Sequence, residues 1–97
     1  MERRQQILTW IKEAIAQCLP GISYKAFVFG SQANLPMLKR ADIDIGIMAD
    51  KPINTRQLAA LHEAVDALPM LYKIDLVDFG LVDAAFKAVA LQNIETL

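Results

Sequence analysis

The chain has 97 residues, 55% apolar and 22% charged, enough for one hydrophobic core and too apolar for a disordered segment. Ten basic and eleven acidic side chains leave a formal charge of -1 with no basic stripe, so neither duplex DNA nor a membrane surface is expected as the main ligand. The single cysteine, Cys18, excludes an internal disulfide and a thiolate zinc cluster, while the polar start Met1-Glu2-Arg3-Arg4 and the absence of a long apolar run predict a cytoplasmic protein without signal peptide or membrane span.

Taken in chain order, Ile7, Leu8, Trp10, Ile11, Ala14, Ile15, Cys18 and Leu19 recur at helical spacing and predict a helix over 3–19 that Pro20-Gly21 stops. Residues 25–29 read as a short buried strand ending at Gly30-Ser31. Residues 32–40 predict a short helix interrupted near Pro36 and a basic loop at Lys39-Arg40, and 42–48 a second strand. Asn54 is placed as a helix N-cap with Gln57 completing a capping box, and Leu58, Leu61, Val65 and Leu68 carry that helix to Pro69. A third strand is expected over 72–79, closed by Gly80, and a last helix over 82–94 with Phe86, Val89, Ala90 and Ile94 turned inward. Trp10, Phe27 and Phe29 are core by spacing, and Cys18 is expected as a small buried apolar residue. The fold class is α/β: one small domain over 1–97, a mixed sheet flanked by helices. Its apolar fraction is high for a lone domain and leaves surface for a partner or for self-association.

Within the second strand, Asp42 and Asp44 share one face while Ile43, Ile45 and Ile47 take the other, because side chains alternate along a strand. Two carboxylates so placed repel one another and resist burial without a counter-charge. An exposed sheet face would accept them, but acidic residues are poor strand formers; a bridging divalent cation explains them better, since magnesium favours carboxylate oxygens, water and phosphate. The third strand carries Asp75 on one face and Asp78 on the other. If it lies beside the second, one of these completes a three-carboxylate cluster of the kind that holds two metal ions about 3.5–4 Å apart for phosphoryl chemistry. Gly30 and Ser31, in the turn just upstream, offer close backbone approach and a hydroxyl to a phosphate.

Gly30-Ser31, then a spacer, then Asp42-Ile43-Asp44-Ile45, then Ile74-Asp75-Leu76 on a later strand resemble the polymerase-beta-type nucleotidyltransferases. The length and simple layout look like the minimal nucleotidyltransferases that act as antitoxins beside an all-helical HEPN-type ribonuclease toxin. The resemblance implies nucleotide phosphates at Gly30 and Ser31, Mg2+ on Asp42 and Asp44, and Asp75 as the third carboxylate, activating the acceptor hydroxyl or holding a second metal. It also implies ATP as the nucleotide substrate and transfer of AMP to a tyrosine of the HEPN-type partner, which silences it. Three positions depart from the family pattern: Leu35 stands where a second glycine is usual, Asn34 where a basic residue is often found, and Ala41 where serine commonly precedes the first aspartate. These keep an alternative open, a catalytically degenerate binding module that neutralises its partner by complex formation.

Other residues carry weaker signals. Arg56 and His62 match the arginine-then-histidine spacing of HEPN ribonucleases, but such short patterns recur by accident and a sheet-bearing fold is not a helical bundle. His62 has no second histidine to share a metal and is expected on a solvated helix face. Lys39-Arg40 are expected in a solvated loop. Lys73, on the strand face of Asp75, either reaches the site or pairs with an acidic neighbour.

Overall fold

The structure, a computed structural model, describes residues 3–30, 33–34, 42–69 and 72–97. In chain order it comprises α1 (Arg3–Cys18), β1 (Tyr24–Phe29), β2 (Asp42–Ala49), α2 (Thr55–Asp66), β3 (Lys73–Asp78), α3 (Ala84–Ala90) and β4 (Ile94–Thr96). The helices α1 and α2 form where apolar periodicity placed them. α1 buries Ile7, Leu8, Ile11, Ala14 and Ile15. α2 starts at the capping box, where Asn54 Oδ1 accepts the Gln57 N–H at 2.7 Å and Gln57 Oε1 accepts the Asn54 N–H at 3.3 Å.

The strands form one four-stranded sheet in the order β3-β2-β1-β4. β1 pairs antiparallel with β2 and β4, and β2 pairs parallel with β3 through the α2 crossover, so the sheet is mixed, as expected. Period-2 alternation gives its faces different jobs. Ala26, Val28, Ile43, Ile45, Ile47 and Ile74 pack beneath α1 and α2 with Leu61 and Val65. Each fully buried Ile or Leu there is worth about 1.5–3 kcal/mol of transfer from water. A one-residue register slip would turn that row to solvent, so the register is strongly specified.

The opposite face carries Phe27, Phe29 and Phe79, their rings edge-to-face at 5.0 Å (Phe27–Phe79) and 5.3 Å (Phe29–Phe79). They cross β2 where Gly46 lies, and a Cβ there would stand 2.5 Å from atoms of both Phe27 and Phe79. Glycine is therefore a packing requirement at this position.

The C-terminal part differs from expectation. The helix expected over 82–94 is only Ala84–Ala90, capped by the Asp83 side chain on Phe86 N–H at 2.7 Å, and the chain then turns into β4, which pairs with β1. Val89 is 69% exposed and Phe86 43%, so neither is core, although the Phe86 ring touches those of Phe29 and Phe79. The free edge of β1 supplies hydrogen bonds that outweigh the helical tendency of this stretch. Trp10 and Cys18 are partly buried at the rim of the core. Ala33 and Asn34 lie in a turn. The rest of the expected 32–40 helix, with Leu35, Lys39 and Arg40, falls outside the described residues, as do Ser31 and Ala41.

Candidate active site

Asp42 and Asp44 project from β2 on the aromatic face, in line with Gly46. The parallel register sets Asp44 beside Asp75, and the antiparallel register sets Asp44 beside Phe29 on its other flank. One row across three strands thus reads Phe29, Asp44, Asp75, with neighbours about 4.8 Å apart along the sheet. Asp42 is in register with Lys73, which stands on the same face. Asp42 and Asp75 are exposed and Asp44 is half-buried. Asp78 turns to the other face, where its Oδ1 accepts the Gly80 N–H at 2.8 Å.

Electrostatics single out Asp44. Its carboxyl is pushed above the ordinary aspartate value, first by desolvation beside the aromatic block and then by the charges of Asp75 and Asp42. Ionised Asp44 therefore sits in a field of its own sign, which a cation or a proton relieves.

Gly30 closes β1 immediately above this carboxylate. Its φ of +77° is left-handed, and a Cβ would stand 3.0 Å from Asp44 Oδ2. The bare α-carbon keeps the space beside Asp44 open and lets the backbone approach a ligand. Next to Gly30 an apolar cleft of about 340 Å³, lined by Phe29, Phe86, Val89, Ala90 and Asn93, has room for a planar uncharged group beside the carboxylates.

The donor set suits a hard divalent cation, being all carboxylate oxygen with mutual repulsion at its centre. Among the described residues, however, no group of three or more His, Cys, Asp or Glu side chains is arranged to hold a metal ion. The register brings Asp42, Asp44 and Asp75 onto one patch without converging their oxygens on one point. Arg56 and His62 are exposed on α2, which packs on the far face of the sheet.

Sequence reasoning did not reach a second set of residues beside the site. Asn34, at a left-handed φ of 61°, donates its backbone N–H to Glu95 Oε1 at 3.0 Å and its Nδ2 to Asn93 Oδ1 at 3.1 Å and the Ile94 carbonyl at 3.2 Å. Glu95 also receives the Arg4 guanidinium of α1, Nη1 to Oε2 at 2.9 Å and Nη2 to Oε1. The Arg4 hydrogen bond is the main reason its carboxyl lies below the ordinary range, helped by the Asn34 N–H and the Arg4 charge against the opposing effect of burial. Asparagine's tolerance of positive φ was the one available signal; nothing marked Glu95.

The family model described as polymerase beta, nucleotidyltransferase matches residues 13–97. The chain belongs to the polymerase beta nucleotidyltransferase family. The chain is 22% identical over 89 residues, 92% of its length and 76% of the relative's, to a probable protein adenylyltransferase MntA of Haemophilus influenzae. A complex of tri-AMPylated Shewanella oneidensis HEPN toxin with MNT antitoxin contains a chain of similar fold, with a TM-score of 0.72 and 17% identity over 95% of this nucleotidyltransferase and 69% of that chain. A toxin–antitoxin structure with AMP-PNP gives a TM-score of 0.71 at 17% identity, covering 91% of this chain and 69% of the other. No helix among the described residues is long and apolar enough to cross a membrane.

Proposed function

We propose that this nucleotidyltransferase transfers AMP from ATP to a tyrosine hydroxyl of a HEPN-type toxin and thereby acts as its antitoxin. The observation that carries the reading is the row at the end of β1 and the start of β2: Gly30 opens space directly over Asp44, and Asp44 stands in register with Asp75. The adenylyltransferase relative and the toxin complexes of similar fold support the choice of nucleotide and acceptor.

Gly30 and Ser31 hold the triphosphate, and Asp42 and Asp44 are the residues that would hold Mg2+. When bound there, the cation would supply charge neutralisation on the phosphates and alignment of the leaving group. Asp75 takes the proton of the acceptor phenol. The phenolic oxygen then bonds to the α-phosphorus of ATP, the bond from that phosphorus to its bridging oxygen breaks, and pyrophosphate leaves. Positioning and charge account for the acceleration, with no covalent intermediate on the protein. Intact-mass measurement of the toxin after incubation with ATP, Mg2+ and this protein tests the reading: mass increments of AMP support it, and an unchanged mass contradicts it.

The unconverged carboxylates and Leu35 favour a second reading, neutralisation by contact alone. Replacing both Asp42 and Asp44 by asparagine separates the two. A contact-only antitoxin still protects cells from the toxin, whereas an adenylyltransferase does not.

A further inference from the structure

The turn that leaves Gly30 is closed by a hydrogen bond from the Ala33 N–H to the Gly30 carbonyl at 3.3 Å. The next residue, Asn34, makes three hydrogen bonds to the C-terminal segment, its backbone N–H to Glu95 and its side chain to Ile94 of β4 and to Asn93 just before that strand. β4 is itself paired to β1 from Phe27 to Phe29, the stretch that ends at Gly30. The two ends of the turn are therefore referenced to the same piece of sheet. Glu95 adds a third reference, because the carboxylate that accepts the Asn34 N–H also receives the guanidinium of buried Arg4 on α1.

These bonds exceed what a surface turn needs. Asn34 is exposed, holds a left-handed backbone, and contributes no apolar burial. Its side-chain amide donates twice, to Asn93 just before β4 and to Ile94 in it. Asn93 also lines the cleft beside Gly30, so the same contact fixes one wall of that cleft. Where a phosphate is gripped by backbone groups at a turn, small displacements of the turn cost binding directly, and fixing it beforehand removes an ordering cost on binding.

We propose that Asn34 and Glu95 are positioning residues for nucleotide binding, holding the Gly30 turn and the Asn93 wall of the cleft in place before ATP arrives. This rests on the nucleotidyl-transfer reading above. Neither residue touches the reacting atoms; Asn34 acts through the turn and Glu95 through Asn34.

The test compares wild type, Asn34→Gly, Glu95→Gln and Arg4→Met by AMP-PNP titration calorimetry, by ATP-dependent modification of the toxin, and by Tm. Asn34→Gly keeps the positive φ and the backbone N–H while removing both side-chain bonds, to Asn93 and to Ile94. Expected is an affinity for AMP-PNP weaker by about fivefold to tenfold in Asn34→Gly, the scale of one or two lost hydrogen bonds, with KM for ATP raised alike, kcat at saturating ATP retained, and Tm nearly unchanged. Glu95→Gln shifts affinity in the same direction, and Arg4→Met lowers Tm more than it lowers affinity. Wild-type affinity in both Asn34→Gly and Glu95→Gln overturns the positioning role alone. A loss of affinity that only follows loss of Tm across all three variants overturns it too, by making the network merely structural. Absence of AMP-PNP binding by wild type, with Mg2+ present, overturns the transfer reading and the positioning role together.

Discussion

Asp44 of β2 and Asp75 of β3 are register partners in the parallel strand pair of the sheet, two carboxylates held side by side with the aromatic block of Phe27, Phe29 and Phe79 behind them. Parallel partners point to the same face, so neither can escape by turning inward without crossing the isoleucine layer. Folding therefore imposes first a desolvation and then a repulsion that the isolated chain does not feel, and both fall on the half-buried member, Asp44.

Asp44→Asn is expected to separate stability from activity. Because the folded carboxyl is raised above the ordinary aspartate value of 3.8, stability from this group is fully present below that value and is lost as pH rises through the folded pKa. At neutral pH the metal-free Asn variant melts higher than wild type, and the difference closes as pH falls toward 4. Adding Mg2+ raises the wild-type Tm and leaves the variant's unchanged. Transfer falls by about a hundredfold to a thousandfold or more, the scale of removing one charge-stabilising group. Melting curves across pH, with and without Mg2+, alongside toxin modification, check all three.

Glu95→Gln moves stability the other way. The Glu95 carboxyl is lowered below its ordinary 4.5, chiefly by Arg4, so its contribution is present above that value and lost as pH falls through the folded pKa. The variant melts below wild type at pH 7, by about 1 kcal/mol after allowing for solvent screening, and the two curves meet in acid. Chemical denaturation at two pH values reads this difference.

Much of this layout was legible because it rests on local pattern. The Ile43, Ile45, Ile47 alternation fixed which face Asp42 and Asp44 occupy, and the Asn54-to-Gln57 capping box fixed the start of α2. The Gly30 turn and the acidic strands were recognisable by order and spacing. What escaped is non-local. β4 is three residues long, follows a helical stretch and exists because β1 has an edge to fill. Asn34 and Glu95 are 61 residues apart in sequence, and Arg4 and Glu95 are 91 apart, so no window along the chain contains either contact. Phe86 and Val89, expected inward, are exposed on α3, a packing outcome that helical spacing alone does not contain.

Gly46→Ala tests the aromatic wall. The added methyl would meet Phe27 and Phe79 at 2.5 Å, so rings or strand must shift, costing about 1–3 kcal/mol as for other overpacked cores. Urea denaturation is expected to show a lower midpoint with an unchanged slope.

Gly30→Ala reaches the site with less effect on the core. The left-handed φ costs about 1–2 kcal/mol for a residue with a Cβ, and the methyl would press on Asp44 Oδ2 at 3.0 Å. Both AMP-PNP affinity and transfer rate are expected to fall, and calorimetry beside denaturation separates the site effect from the fold effect.

The most direct test of the central claim incubates the toxin and Mg2+ with wild type or Asp44→Asn and ATP labelled in parallel at the α- or the γ-phosphate. The account predicts label on a toxin tyrosine from α-labelled ATP only, and only with wild type. A toxin that stays unlabelled while a tight complex forms, or labelling that survives Asp44→Asn undiminished, would contradict it.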